Sequence, residues 1–135
     1  MAARTAAEAG TTLRRMLANG ALTASPKSPR DMELLLLLAA ARFEPGRAYR
    51  EPEVNALLRS WLEQFCSPHG IDHVTFRRAL VDARLLVRDT AGATYRASTD
   101  RIDASIDAGT RTLDPAQVME RVRAERDARK RARPA

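Results

Sequence analysis

Apolar residues recur along this chain mainly at helical spacing. Leu13, Met16 and Leu17 stand at i, i+3 and i+4, and Asn19-Gly20 follows as a stop. They predict a short amphipathic helix able to dock on a larger body. Residues 1–12, rich in Ala, Thr and Gly, show little periodicity and are expected to be disordered. After the linker Ser25-Pro26-Lys27-Ser28-Pro29 comes the best-signalled helix. Ser28 is its N-cap, Pro29 takes the first position and Asp31 lies at the positive end of the dipole. The leucines Leu34 to Leu38 wrap more than one face, so this helix is expected at the centre. Pro45-Gly46 ends the segment in a turn.

Ala48-Tyr49 reads as a short extended piece. Val54, Leu57, Leu58, Trp61 and Phe65 form a stripe on a second helix, with Pro52 and Glu53 in its first turn. Ser67-Pro68-His69-Gly70 breaks the chain. Asp72 then caps a third helix, over about 72–84, that buries Phe76, Ala79, Leu80 and Ala83. Leu85-Leu86-Val87 and Thr94-Tyr95 flank the turn Thr90-Ala91-Gly92-Ala93 as a two-stranded hairpin.

The polar stretch 98–112, with only Ile102 and Ile106 four apart, is expected to be a linker. A last helix starts at Asp114-Pro115, with Gln117 closing a capping box and Leu113 stapled on Val118. Beyond Val122 its apolar face vanishes, so its basic end should fray.

The fold class this order predicts is mainly α with a small β-hairpin: a winged helix-turn-helix of three helices plus a wing. Its expected divisions are a flexible extension over 1–27, the winged-helix domain over 28–97, the linker over 98–112 and a basic helical tail over 113–135.

Composition agrees with one domain and extensions in 135 residues, with few aromatics and no repeats. The longest apolar run, Leu34 to Ala41, is far short of the roughly 18–20 residues of a membrane span. Without an apolar stretch ahead of it, no secretory signal is read, and a cytoplasmic protein without membrane partners is expected. Charge changes the picture more. The net +6 divides into +2 over 1–26, +2 over 27–97, −2 over 98–110 and +4 over 111–135. The winged region is nearly neutral and the tail is the most basic part.

Three segments resemble a small, functionally undefined winged-helix family whose members occur alone or at the C-terminus of ArsR-type transcriptional regulators. They are Arg42-Phe43-Glu44-Pro45-Gly46-Arg47 with Tyr49, Glu53-Val54-Asn55 with Leu58, and Phe76-Arg77-Arg78 leading into Leu80-Val81-Asp82. The resemblance covers roughly Pro26 to Arg96 and implies a role around transcription. It supplies no ligand, catalytic residue or DNA site. The chain departs from the family at Arg50, where Ser or Thr would cap the second helix, so the capping box with Glu53 is expected to be lost. The connection from Trp61 to Asp72 is also longer than the family's turn.

The expected partner is double-stranded DNA, read by His73, Thr75, Arg77, Arg78 and Arg84 of the third helix. Arg88 and Arg96 of the wing, and Arg129, Lys130, Arg131 and Arg133 of the tail, would contact phosphate. Ordinary surface charge is the competing account, since Arg78 stands four before Asp82. A module for homodimerisation or for binding a regulatory protein is the alternative function. Asn55 reads better as a structural amide than as a ligand contact. Cys66, His69 and His73 have metal-like spacing but lack a second cysteine, so no metal or other cofactor is expected. No orienting acid or phosphate-binding glycine loop accompanies Cys66, and the chain reads as a non-enzyme.

Overall fold

A computed structural model describes residues 3–91 and 93–133. Met1, Ala2, Gly92, Pro134 and Ala135 lie outside it, so the Gly92 position of the expected wing turn and the ends of the outer segments go undescribed. The elements are α1 (Ala6–Met16), α2 (Pro29–Ala40), β1 (Tyr49–Arg50), α3 (Glu51–Glu63), α4 (His73–Asp82), β2 (Leu86–Asp89), β3 (Thr94–Ala97), α5 (Thr99–Ser105), α6 (Ala108–Arg111) and α7 (Pro115–Ala132).

Helix α2 is the hub. Every residue from Leu34 to Ala40 is buried, which satisfies a leucine run that has no polar side to offer water. Ser28 accepts a hydrogen bond from the Asp31 N–H, as its sequence position predicted. Val54, Leu58, Trp61 and Leu62 of α3 and Phe76 and Leu80 of α4 belong to the same core, with α3 packed on α4 and α4 on α2. Each such side chain removed from water contributes about 1.5–3 kcal/mol before entropic costs.

The strands form one antiparallel sheet in the order β1-β3-β2. Tyr49 stands opposite Tyr95 and Leu86 opposite Ala97, so the two tyrosines and Leu86 share the inner face. Val87, paired with Arg96, points outward and is the one exposed large hydrophobic among the described residues. Three helices with a following hairpin and a strand between the first two give the winged-helix-type arrangement that the sequence predicts.

The flanks differ from expectation. Residues 6–16, expected to be disordered for the most part, form helix α1, capped by Thr5. Ala9, Leu13 and Leu17 are fully buried, and a four-residue repeat of small and large apolar positions suffices once a partner surface exists. The 98–112 stretch, expected to be a polar linker, carries the short helices α5 and α6. Ile102, Ile106 and Thr110 are all buried. Helix α7 continues to Ala132 instead of fraying. Asp114 caps it by accepting from the Ala116 N–H, but among the described residues Gln117 returns no bond to close a box.

Terminal segments are stitched together. The Arg4 N–H donates to the Ser105 carbonyl, and the Asp107 N–H donates to the Arg4 carbonyl. The Thr110 hydroxyl lies 2.6 Å from Asp107 Oδ1 and 2.9 Å from the Arg4 carbonyl oxygen, its one proton shared between them. Arg4 pairs with Glu33, Arg15 with buried Asp31, and Arg14 with Glu125 of α7. The long α3–α4 connection has its own task. Leu22 threads against it, donating to the Phe65 carbonyl and accepting from the Ser67 N–H. Gly70 is required there, because a Cβ would sit 2.6 Å from the Leu22 carbonyl oxygen.

Candidate nucleic-acid interface

The turn after α2 is a structural clasp. Phe43 meets the edge of Tyr49 at 5.0 Å between ring centroids, and the Tyr49 hydroxyl accepts the Glu44 N–H. The Arg47 guanidinium lies 4.6 Å over the Tyr49 ring and pairs with both Glu44 and Glu53. Gly46 has φ +78°, a conformation for which glycine carries no steric penalty.

At the α3 start, Arg50 is the N-cap residue. A guanidinium has no acceptor, so it cannot satisfy the helix N–H groups. The expected loss of the capping box is nevertheless only partial. Glu53 still accepts from the Arg50 N–H at 3.1 Å, and that bond holds its carboxyl below the ordinary range. Asp72 caps α4 fully, taking the Thr75 N–H and the Thr75 hydroxyl at 2.9 Å each.

The expected reader residues separate into two groups. Arg77 is turned inward, with its side chain only 13% exposed. Its guanidinium donates to Asn55 Oδ1 at 2.6 Å and faces Glu51 at 3.7 Å. The Tyr95 hydroxyl donates to the same Glu51 carboxylate at 2.9 Å. Burial, helped by that carboxylate, raises the Tyr95 phenol above its ordinary pKa. Asn55, Glu51, Arg77 and Tyr95 thus lock α3, α4 and the sheet into one relative position, and Asn55 is the structural amide its place suggested. Arg96 is likewise engaged, donating to the Gly46 carbonyl at 2.7 Å.

Arg78, Arg84 and Arg88 form the second group. All three are exposed, and among the described residues none has a carboxylate within ion-pair distance. The expected weak pair of Arg78 with Asp82 is not formed. Arg84 has φ +61°. It sits at the left-handed position that closes α4, with the Leu85 N–H donating to the Leu80 carbonyl and the Arg84 N–H to the Val81 carbonyl. Arg88 shares the inner sheet face with Tyr95 at the open edge of that face. Thr75 is exposed and His73 half-buried. Arg129, Lys130, Arg131 and Arg133 are exposed at the end of α7.

Cys66 is buried, and desolvation pushes its thiol up to about 12. It lines a hollow of about 190 Å³ with Glu63, Asp72 and His73, while His69 does not. Among the described residues, no three His, Cys, Asp or Glu side chains are grouped to hold a metal. No helix among them is long and apolar enough to cross a membrane.

Sequence reasoning had no means of finding Arg42. Its guanidinium donates to the Arg111 carbonyl across the fold, and burial lowers its pKa. Only the position of α6 identifies that partner.

Searches against curated proteins and against solved structures return no match. The segments Phe43–Tyr49, Glu51–Asn55 and Phe76–Leu80, joined by the contacts above, all lie within residues 21–97, which match the family described as an uncharacterized protein conserved in bacteria, DUF2087. That match spans more than half of the chain, and the protein belongs to this family.

Proposed function

We propose that this protein binds double-stranded DNA through the surface shared by α4 and the wing, and acts in transcriptional regulation. Residues 28–97 serve as the binding unit. One observation carries this reading: Arg78, Arg84 and Arg88 are exposed and unpaired among the described residues, whereas Arg47, Arg50, Arg77 and Arg96 all have partners within the fold. Arginines left free beside a helix and hairpin suit phosphate and base-edge contacts. His73 and Thr75 stand at the N-terminal end of α4, where such a helix meets base edges. Arg77 and Arg96 act as positioning residues that fix helix and wing. The α7 cluster Arg129, Lys130, Arg131 and Arg133 adds phosphate contacts without sequence preference.

A salt-titrated binding assay on duplex DNA from the chain's own upstream region tests this. The triple variant R78A/R84A/R88A should bind at least tenfold more weakly. Its salt slope should fall by about 2–3, near 0.9 for each phosphate left without its arginine. If removing residues 126–135 abolishes all binding while the triple variant changes nothing, the α4–wing assignment is wrong.

A second reading is favoured by a different observation. Asp82, four residues after Arg78, lies on the same exposed side of α4, and residues 27–97 carry a net charge of only +2. A protein partner, or a second copy of the chain, tolerates mixed charge better than a phosphate backbone does. Self-association or partner capture that survives the triple variant, with no salt-dependent DNA affinity, would select that account.

A further inference from the structure

Where α1 ends, a groove of about 330 Å³ opens against α7. Its volume is at the lower end of small-molecule sites, which span ~300–1,000 Å³. Leu17, Met119 and Val122 line its apolar side, and Arg123 and Arg126 its polar side. Glu120 is also there, already held by Arg123 at 2.8 Å. Arg126 is half-buried and, among the described residues, has no carboxylate partner.

We infer that this groove is a binding site for a small, monomeric organic acid with a compact apolar body. The two guanidiniums outweigh the single carboxylate, so the site carries a net positive charge. A bare anion would leave half-buried Met119 and Val122 uncovered, and a neutral apolar molecule would leave Arg126 unpaired. Orientation follows from the helices. The turn at Asn19-Gly20 follows the negative end of the α1 dipole, which repels an anion. The acid group therefore lies beside Arg126, and the apolar body rests on Met119 and Val122. This site is independent of the α4–wing surface and stands or falls separately from DNA binding.

Titration of the full chain with 8-anilinonaphthalene-1-sulfonate, followed by its fluorescence, is the test. One saturable site is expected. Arg126→Glu should weaken it at least tenfold, and Val122→Trp should abolish it by filling the groove. Circular dichroism of both variants checks that they remain folded. Monomeric decanoate should displace the probe. Inorganic phosphate and anionic phospholipid vesicles, at equal concentration, should not. The R129A/K130A/R131A variant should bind the probe as well as the parent chain. The inference is overturned if no saturable site exists or if folded Val122→Trp binds unchanged. Equal displacement by phosphate or vesicles overturns it as well, as does loss of binding in the R129A/K130A/R131A variant.

Discussion

Arg77 Nη1 and Asn55 Oδ1 lie 2.6 Å apart, joining the middle of α4 to the second turn of α3. A charged donor that is mostly shielded from water depends on that acceptor. Asn55→Ala should therefore destabilise the fold by about 1–3 kcal/mol. Arg77→Ala should cost a similar amount, and the double variant should cost less than the two singles added. Urea unfolding of the four proteins measures this. Strict additivity would show that the bond contributes nothing.

Helix α1 belongs to the core. Leu13 is completely buried, and truncating such a leucine costs about 2–5 kcal/mol. Leu13→Ala should lower the single unfolding transition of the whole chain. A transition that ignores this change would mean that α1 is only loosely attached.

Arg84 carries a backbone conformation better suited to glycine. Arg84→Gly relieves that penalty while keeping both closing hydrogen bonds, and should stabilise the protein by roughly 0.5–1 kcal/mol. The same variant should weaken DNA binding if Arg84 touches phosphate. Opposite movements of melting temperature and affinity would separate the residue's two roles, and a lowered melting temperature would contradict the first.

Four surface carboxylates are held below their ordinary pKa. Glu53 is held by the Arg50 N–H, Asp72 by the Thr75 N–H, Asp107 by the Thr110 hydroxyl and Glu125 by Arg14. Each binds protons more readily unfolded than folded, so their contribution is present above the unfolded pKa of about 4. It is lost as pH falls through the lower folded values. Melting temperature should hold between about pH 7 and 5 and drop below about pH 4. Asp107→Asn should flatten that drop, and an unchanged acid limb would exclude Asp107 from it.

Cys66 should be chemically quiet. With its thiol pushed up to about 12, only on the order of 10⁻⁴ of it is ionised at pH 8. Iodoacetamide should modify the native chain far more slowly than the urea-unfolded chain. Comparable rates, followed by mass spectrometry, would refute the burial argument.

Much of the winged-helix core was legible because its signals are local. Ser28, Asp72 and Asp114 announce helix starts through short polar side chains, and Leu34 to Leu38 announce a buried helix through composition alone. The inward turn of Arg77 was not legible. One position from buried Phe76 on the helix, it stands at the border of the buried face. Only the arrival of Asn55 and Glu51 from another helix decides which way it points. The flanks failed for the same reason. Ile102, Ile106 and Thr110 make a sparse stripe that looks like a linker until the Arg4 carbonyl is brought to it from about a hundred residues away.

That pairing of Arg4 with Ser105, Asp107 and Thr110, and of Arg14 with Glu125, has a consequence for how the chain assembles. Segments about a hundred residues apart in sequence thus hold one another. Until residues beyond about 100 fold, Leu13 and Leu17 have only part of their burial site, and α1 must wait as a marginal helix. Docking of α1 therefore waits on α5 to α7, with the winged core able to form before the two flanks close over it together.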